Sequence, residues 1–357
     1  MYSKTKLLAF IFSCASTVSA QQIVIPMHTV TTPSQSPKAK TIQQIGLTTL
    51  EVNYSRPGVK GRKIFGALVP FNSGKPYPWR AGADENTIVT FQHDVKIEGN
   101  QLSAGSYGLH VIPADANWMF IFSKNTTSWG SFSYKPEEDA LRVTVKPDAA
   151  PQQEWLLYEF TNITDSSVSL TLKWDKVQAG FKIEVDVKKI TLESIRQQLR
   201  NTTGFTWTGY YSAANWCLQN NYNLEEALTW ANRAAANNPA YNTVNTKAEI
   251  LRKLNKNKEA DEAYAAILNF GSYIECIAYI TGLVQQKSTE VDNVVSKINS
   301  RYPDIIGRTY LAVGNSYKLF KDNVKAEENY NKGLQTSQDE EMKKRLAKAI
   351  EDLKAVK

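Results

Sequence analysis

Between Tyr54 and Asn86 the chain gathers Arg56, Arg62, Lys63, Trp79, Arg80, Asp84, Glu85 and Asn86 into a stretch broken by Pro57, Gly58, Gly61, Gly66 and Pro70. Guanidinium forks grip carboxylate or phosphate oxygens two at a time, and backbone N–H groups beside glycines add to such a grip. The chemistry on offer is recognition of a small anionic or sugar ligand, with Trp79 as a stacking face. A purely architectural role competes with it, in which Arg56, Arg62 and Arg80 pair with Asp84, Glu85 and Asp139 and pin a long loop across one end of a sandwich.

Groups suited to catalysis are sparse. No Gly-x-Ser-x-Gly turn occurs, Ser106 reads as a turn residue, and Cys217 and Cys276 have no histidine near them in sequence. Adjacent acids are present in Asp84-Glu85 and Glu137-Glu138-Asp139, but on loops such neighbours read as solvated groups. His93 and His110 lack zinc-ligand spacing, and Gly58, Gly61 and Gly66 lack the strand-then-helix setting and the Lys-Ser/Thr ending of a nucleotide loop. We therefore expect no catalytic residue, no metal and no cofactor.

The elements that must position the arginine-rich loop are β-strands. From Thr41 onward, short β-branched and aromatic runs recur about every ten residues between turn residues, the pattern of a sandwich or barrel. Leu141 to Val145, Val168 to Trp174 and Phe181 to Val187 alternate apolar with polar residues, each giving one dry and one wet face. Further strands are expected at 49–54, 86–92, 106–112, 117–123 and 155–160.

In this region Ser36-Pro37, Tyr54-Ser-Arg-Pro57, Gly61-Arg-Lys-Ile-Phe-Gly66, Leu68-Val-Pro70, Trp79-Arg-Ala-Gly82, Ala104-Gly-Ser-Tyr107, Trp129-Gly130 and Asp139-Ala-Leu-Arg142 follow one another in order. This set resembles the domain-of-unknown-function family numbered 2911 over residues 36 to 187. The resemblance implies an exported, mostly β domain and brings no established activity with it.

Past Lys189 the apolar period changes from two to helical, beginning with Leu192, Ile195 and Leu199. Segments around Ala227, Ala260 and Ala326 match one another at spacings of 33 and 66 residues, so a degenerate copy belongs at Val291 to Ile298, closed by Pro303. The period and the placing of small and aromatic residues resemble tetratricopeptide repeats. Gly314 and the three alanines would let paired helices approach, with Tyr264, Tyr317 and Tyr330 filling the space around them. Asn223 with Glu226, and Ser337 with Glu340, have capping-box spacing. Trp207, Tyr210, Tyr211 and Trp216 read as core at the junction of the two parts.

Met1 to Ala20 has the cationic start, apolar run and small-residue end of a cleavable secretory signal. Cys14 also suits a lipoprotein anchor, a reading placed second because the apolar run before it is short. Residues 21–40 carry Thr, Ser, Gln and three prolines and read as a tether. The formal charge is +7, spread along the chain rather than gathered in one block, which argues against nucleic acid as a partner. No transmembrane segment is expected. Whether Cys217 and Cys276 pair is left open by the sequence.

The fold class expected is α+β as two segregated domains, with an antiparallel β-sandwich at 41–190 and a tetratricopeptide-like helical array at 191–357. The expected function is that of an exported periplasmic or envelope binding or scaffold protein whose repeats engage a protein or peptide. The rival is an enzyme or a carbohydrate- or anion-binding module with its site in the Arg56–Asn86 loop.

Overall fold

The computed structural model of the chain describes residues 32–71, 75 and 77–355. The leader, Cys14 and the tether up to residue 31 lie outside the described residues. Two antiparallel sheets pack face to face. The first has six strands in the order β1 (Lys38–Ile45), β2 (Thr48–Ser55), β3 (Thr87–Phe91), β6 (Gly105–Ile112), β7 (Trp118–Ser123) and β8 (Asp139–Val145). The second orders β5 (Asn100–Leu102), β4 (Val95–Ile97), β10 (Ser167–Val185) and β9 (Asp148–Thr161).

Alternation drives this packing. Leu50, Val52 and Tyr54 of β2 and Val89 and Phe91 of β3 turn inward to meet Leu170, Leu172 and Phe181 of β10 in one buried cluster. Phe181 sits edge-on to Phe120 and Phe122 at 5.1 and 5.2 Å, and Tyr54 meets Tyr158 at 4.9 Å. Such pairs contribute roughly 0.5–1.5 kcal/mol each beyond their buried area.

Two strand expectations are corrected. Val168 to Trp174 and Phe181 to Val187 are not separate strands but parts of the single long β10, with register shifts on either side of Asp175, whose φ is +55°. A bulge of this kind bends a strand without ending it, so the break in alternation resembles a turn in the sequence. The strand stops at Val185, and Asp186 then caps α1 by accepting from the Lys189 N–H. At the other end, the last three residues read as tether, Lys38 to Lys40, open β1. Its half-buried positions are Ala39, Thr41 and Gln43, too weakly apolar to announce a strand.

Among the described residues ten α-helices follow: α1 (Val187–Gln198), α2 (Trp207–Asn220), α3 (Leu224–Asn237), α4 (Tyr241–Lys253), α5 (Asn257–Phe270), α6 (Tyr273–Gln285), α7 (Val291–Arg301), α8 (Ile306–Leu319), α9 (Asn323–Thr336) and α10 (Glu340–Lys354). The degenerate copy is the α6–α7 pair, with Pro303 opening a short 3-10 turn after it. Pairs α2–α3, α4–α5, α6–α7 and α8–α9 pack as hairpins, and the first helices α2, α4, α6, α8 and α10 touch in succession.

Hydrogen bonds between neighbouring pairs repeat the sequence period. Tyr241 N–H donates to Glu275 at 2.9 Å and Arg252 to Gln286 at 2.7 Å, both 34 residues apart. Thr281 and Ser316 share a hydroxyl bond of 2.8 Å over 35 residues, and Arg301 reaches the Leu268 carbonyl at 2.9 Å over 33. The spacing seen in the chain is thus a bonding register between stacked hairpins, as the tetratricopeptide resemblance implies.

Capping departs from expectation at both sites. Asn223 adopts φ +52° and gives its side-chain amide to the Glu226 carboxylate instead of capping the backbone. Asp339, not Ser337, caps α10, because Ser337 is occupied with the Asp339 N–H. A true capping box forms at Ser272 and Glu275.

Three cores result. Ile190 of α1 belongs to the sandwich core, while Leu192 joins the cluster of α2, α3 and α4. Tyr210, Tyr211 and Trp216 also pack in that helical cluster rather than against the sheets. Cys217 lies in it too, whereas Cys276 lies in the next cluster, and both are buried free thiols. Burial pushes the Cys217 thiol up to about 11.

Candidate functional site

The arginine-rich loop is held by backbone pairing along both of its arms. Val59 N–H donates to the Glu154 carbonyl at 2.8 Å and Leu156 N–H to the Pro57 carbonyl at 3.0 Å, so the first arm runs beside β9. Trp79 and Val111 exchange both backbone bonds, at 2.8 and 2.7 Å, which lays the second arm beside β6. Between them Ile64 and Val69 are buried in the sandwich core and anchor the turn.

Ala81 ties this frame to the core. Its φ is +54°, a conformation that costs a residue with a Cβ roughly 1–2 kcal/mol, yet it is fully buried. Its carbonyl accepts from Tyr158 Oη at 2.9 Å and Thr87 Oγ1 at 3.0 Å. Burial raises the Tyr158 phenol well above its ordinary value, so it remains a donor.

Among the described residues, the three loop arginines do not pair with carboxylates. Arg56 Nε donates to the Leu156 carbonyl at 2.8 Å, and Arg62 donates to the carbonyls of Val59 and Gly58 at 3.1 and 2.5 Å. Arg80 Nη1 donates to the Asp84 backbone carbonyl at 2.7 Å, and its guanidinium lies 5.2 Å over the Phe132 ring. Gly130 is what admits it, since any Cβ there would overlap the guanidinium. Asp139, offered above as a partner, instead accepts from Arg142 Nε at 2.6 Å and from Tyr134 Oη at 2.8 Å. Pairing of the three loop arginines with Asp84, Glu85 and Asp139 is therefore replaced by bonds to backbone carbonyls.

The remaining loop residues divide. Glu85 forms an exposed ion pair with Lys38 at 3.0 Å, and its own backbone N–H followed by Lys38 holds its carboxyl below the usual range. Asn86 is buried, giving its amide to the Asn125 carbonyl at 3.2 Å. Lys63 is exposed. Trp79 is not an open stacking face: its ring lies on Trp174 at 5.8 Å and 17°, edge-on to Phe65, and its Nε1 donates to the Gly82 carbonyl at 3.1 Å.

What the structure brings together is a cleft of about 360 Å³ lined by Lys60, Arg62, Trp79, Arg80, Asp84 and Trp174, among others. Arg56, Lys63, Glu85 and Asn86 are not among its lining residues. Lys60 and Trp174 were missed by sequence reasoning. Lys60 lies inside the dense stretch, and Trp174 stands where the alternation of β10 breaks. A larger cleft, about 620 Å³, opens between β4–β5 and the start of α1, away from the arginines.

Behind the loop, His110 Nδ1 and Ser131 Oγ are 2.7 Å apart, both side chains buried, with the Tyr134 ring 5.2 Å from the imidazole. Burial first, and then the Arg80 charge, lowers the His110 pKa to about 4. Among the described residues, no three His, Cys, Asp or Glu side chains come together to hold a metal ion. Likewise, no helix among them is long and apolar enough to cross a membrane.

Residues 36–183 match the family described as Protein of unknown function (DUF2911). No curated protein matches the chain. Among solved structures, the chain is similar to one described as Functional Characterization of Pseudomonas Aeruginosa pilF, with 19% identity over 43% of this chain and 69% of that one, at a TM-score of 0.26. It is also similar to a MamA from Desulfovibrio magneticus RS-1, with 16% identity over 42% of this chain and 94% of that one, at a TM-score of 0.23.

Proposed function

We propose that this chain, whose residues 36–183 match a family of unknown function, is an exported envelope binding protein without chemistry of its own, whose helical array engages a protein or peptide partner. The observation that carries this reading is the succession of contacts among α2, α4, α6, α8 and α10, which makes the first helix of every hairpin part of one continuous wall. Stacked hairpins of this kind present an extended curved surface, and an extended peptide or a partner helix fits it better than a small molecule does. Ile274 of α6 and Leu319 of α8 stand 74% and 68% exposed on these helices, ready to be covered. Export is supported by the signal-like Met1 to Ala20 and the Pro-containing tether behind it.

Affinity capture by the full chain from its native cells tests this. Ile274→Glu and Leu319→Glu should each abolish capture of the bound protein, while Ile163→Glu, an exposed site between β9 and β10, should leave it intact. All three sites are on the surface, so melting should move by no more than about 0.5 kcal/mol equivalent. Undiminished capture by both array variants would overturn the reading. The second reading, a sandwich that holds a small ligand, is favoured by the cationic cleft.

A further inference from the structure

We infer that the cleft lined by Lys60, Arg62, Arg80 and Asp84 is a binding site for a hydroxylated small-molecule acid, gripped by its oxyanion end. The inference stands apart from the helical array and does not depend on it.

Three cationic residues line one cleft, and among the described residues none of them belongs to an ion pair; Lys60 Nζ lies 5.7 Å over the Trp155 ring and the Arg80 guanidinium 5.2 Å over Phe132. A surface loop that used arginine only for pinning would be expected to neutralise it with a nearby carboxylate, and Glu85 and Asp139 were available but pair elsewhere. Here each guanidinium is instead oriented by backbone carbonyls: Arg62 by Gly58 and Val59, Arg80 by Asp84. Such bonds fix the fork while leaving its charge uncompensated, which is how a site is prepared for an anion in advance of binding.

Two further observations point the same way. Trp174 is 1% exposed and lines the cleft, and its indole N–H is buried with no hydrogen-bond partner among the described residues. Lys60 and Asp84, which line the cleft, hold φ values of +48° and +57°, and Ala81, buried next to its lining residues Arg80 and Gly82, holds +54°. Strain gathered in this way is retained where the surroundings over-determine the backbone, as Tyr158 and Thr87 do here by bonding the Ala81 carbonyl.

Asp84 sets the ligand's orientation and class. Its Oδ2 accepts from Ser34 Oγ at 3.2 Å, and its carboxylate repels a bare anion from that end of the cleft. A ligand with an acid group at one end and hydroxyl donors at the other satisfies both ends. The cleft's 360 Å³ suits one small molecule, and the exposed Leu68 with the half-buried Trp79 gives it an apolar side.

Calorimetric titration of the full chain with glucuronate, glucose and inorganic phosphate tests the inference. Glucuronate should bind saturably and glucose should not. Lys60→Gln and Arg62→Gln, both at exposed positions, should each weaken glucuronate about tenfold, the loss of one charge-assisted contact. Asp84→Asn, a residue comfortable at positive φ, should weaken glucuronate while strengthening phosphate. The inference is overturned if glucose binds as well as glucuronate, if phosphate binds and glucuronate does not, if neither anion gives a signal at about 10 mM, or if the Lys60 and Arg62 variants keep full affinity. Loss of partner capture by array variants would leave each of these outcomes unchanged, so the two proposals fail separately.

Discussion

Gly314→Val is expected to destabilise the helical array by about 3 kcal/mol, the upper end of what overpacking a full core costs. Gly314 lies in α8 where a Cβ would overlap the ring of Tyr330 from α9. Tyr330 is fully buried and its hydroxyl donates to Asn315 Oδ1 at 2.8 Å, so the ring cannot swing aside without losing that bond. The helix-propensity gain from replacing glycine is at most about 1 kcal/mol and does not compensate. Gly282 of α6 is the matched control, because nothing lies within 4 Å of a Cβ placed there. Gly282→Ala should therefore stabilise the array by roughly 0.5–1 kcal/mol. Urea unfolding of the full chain, followed by helical circular dichroism, reads both changes. Equal responses at the two glycines would mean that close hairpin contact is not what Gly314 provides.

Acid should weaken the sandwich as the pH falls below 6.5. His110 is held neutral, its pKa lowered to about 4 from 6.5 by burial first and the Arg80 charge second. The unfolded chain binds a proton on this histidine as the pH falls through 6.5, while the folded chain binds it only near 4. Stability from this group is thus complete above 6.5 and is lost on the way down to about 4, by about 3 kcal/mol in all. The carboxyls of Glu51, Glu85, Glu226 and Glu275 sit below their ordinary 4.5, so their contribution is lost mainly below that pH. Comparing the natural chain with a His110 variant across the window between 6.5 and 4.5 therefore isolates this group. Denaturant midpoints across that window should fall steeply for the natural chain and stay flat for His110→Gln, whatever the variant's overall stability. A slope that survives the substitution would assign the acid sensitivity elsewhere.

Much of the fold was legible because burial imposes its own period on the chain. Leu50, Val52 and Tyr54 mark their strand by alternation, and the register bonds at 34 and 35 residues are the physical form of a repeat already visible around Ala227, Ala260 and Ala326. What stayed hidden lacked such a period. Strand β1 turns Ala39, Thr41 and Gln43 inward at an edge, and the bulge at Asp175 looks in sequence like the end of a strand.

The candidate site was legible in its location and not in its wiring. Charge density singled out the Arg56–Asn86 stretch, but the acceptors of Arg56, Arg62 and Arg80 are backbone carbonyls, which every residue carries and no residue type betrays. The His110–Ser131 pair joins residues 21 apart through a crossing that only the folded sheet creates. Trp79 was misread for a related reason: its ring is claimed by Trp174, nearly a hundred positions away.

Hydrogen–deuterium exchange of the full chain, with and without its captured partner, tests the partner-docking account most directly. Slowed exchange in α2, α4, α6, α8 and α10, with the sheets unchanged, is the result predicted from the contact succession of those helices. Protection confined to the Arg56–Asn86 loop or the edge strands, with the helices exchanging as before, would contradict it.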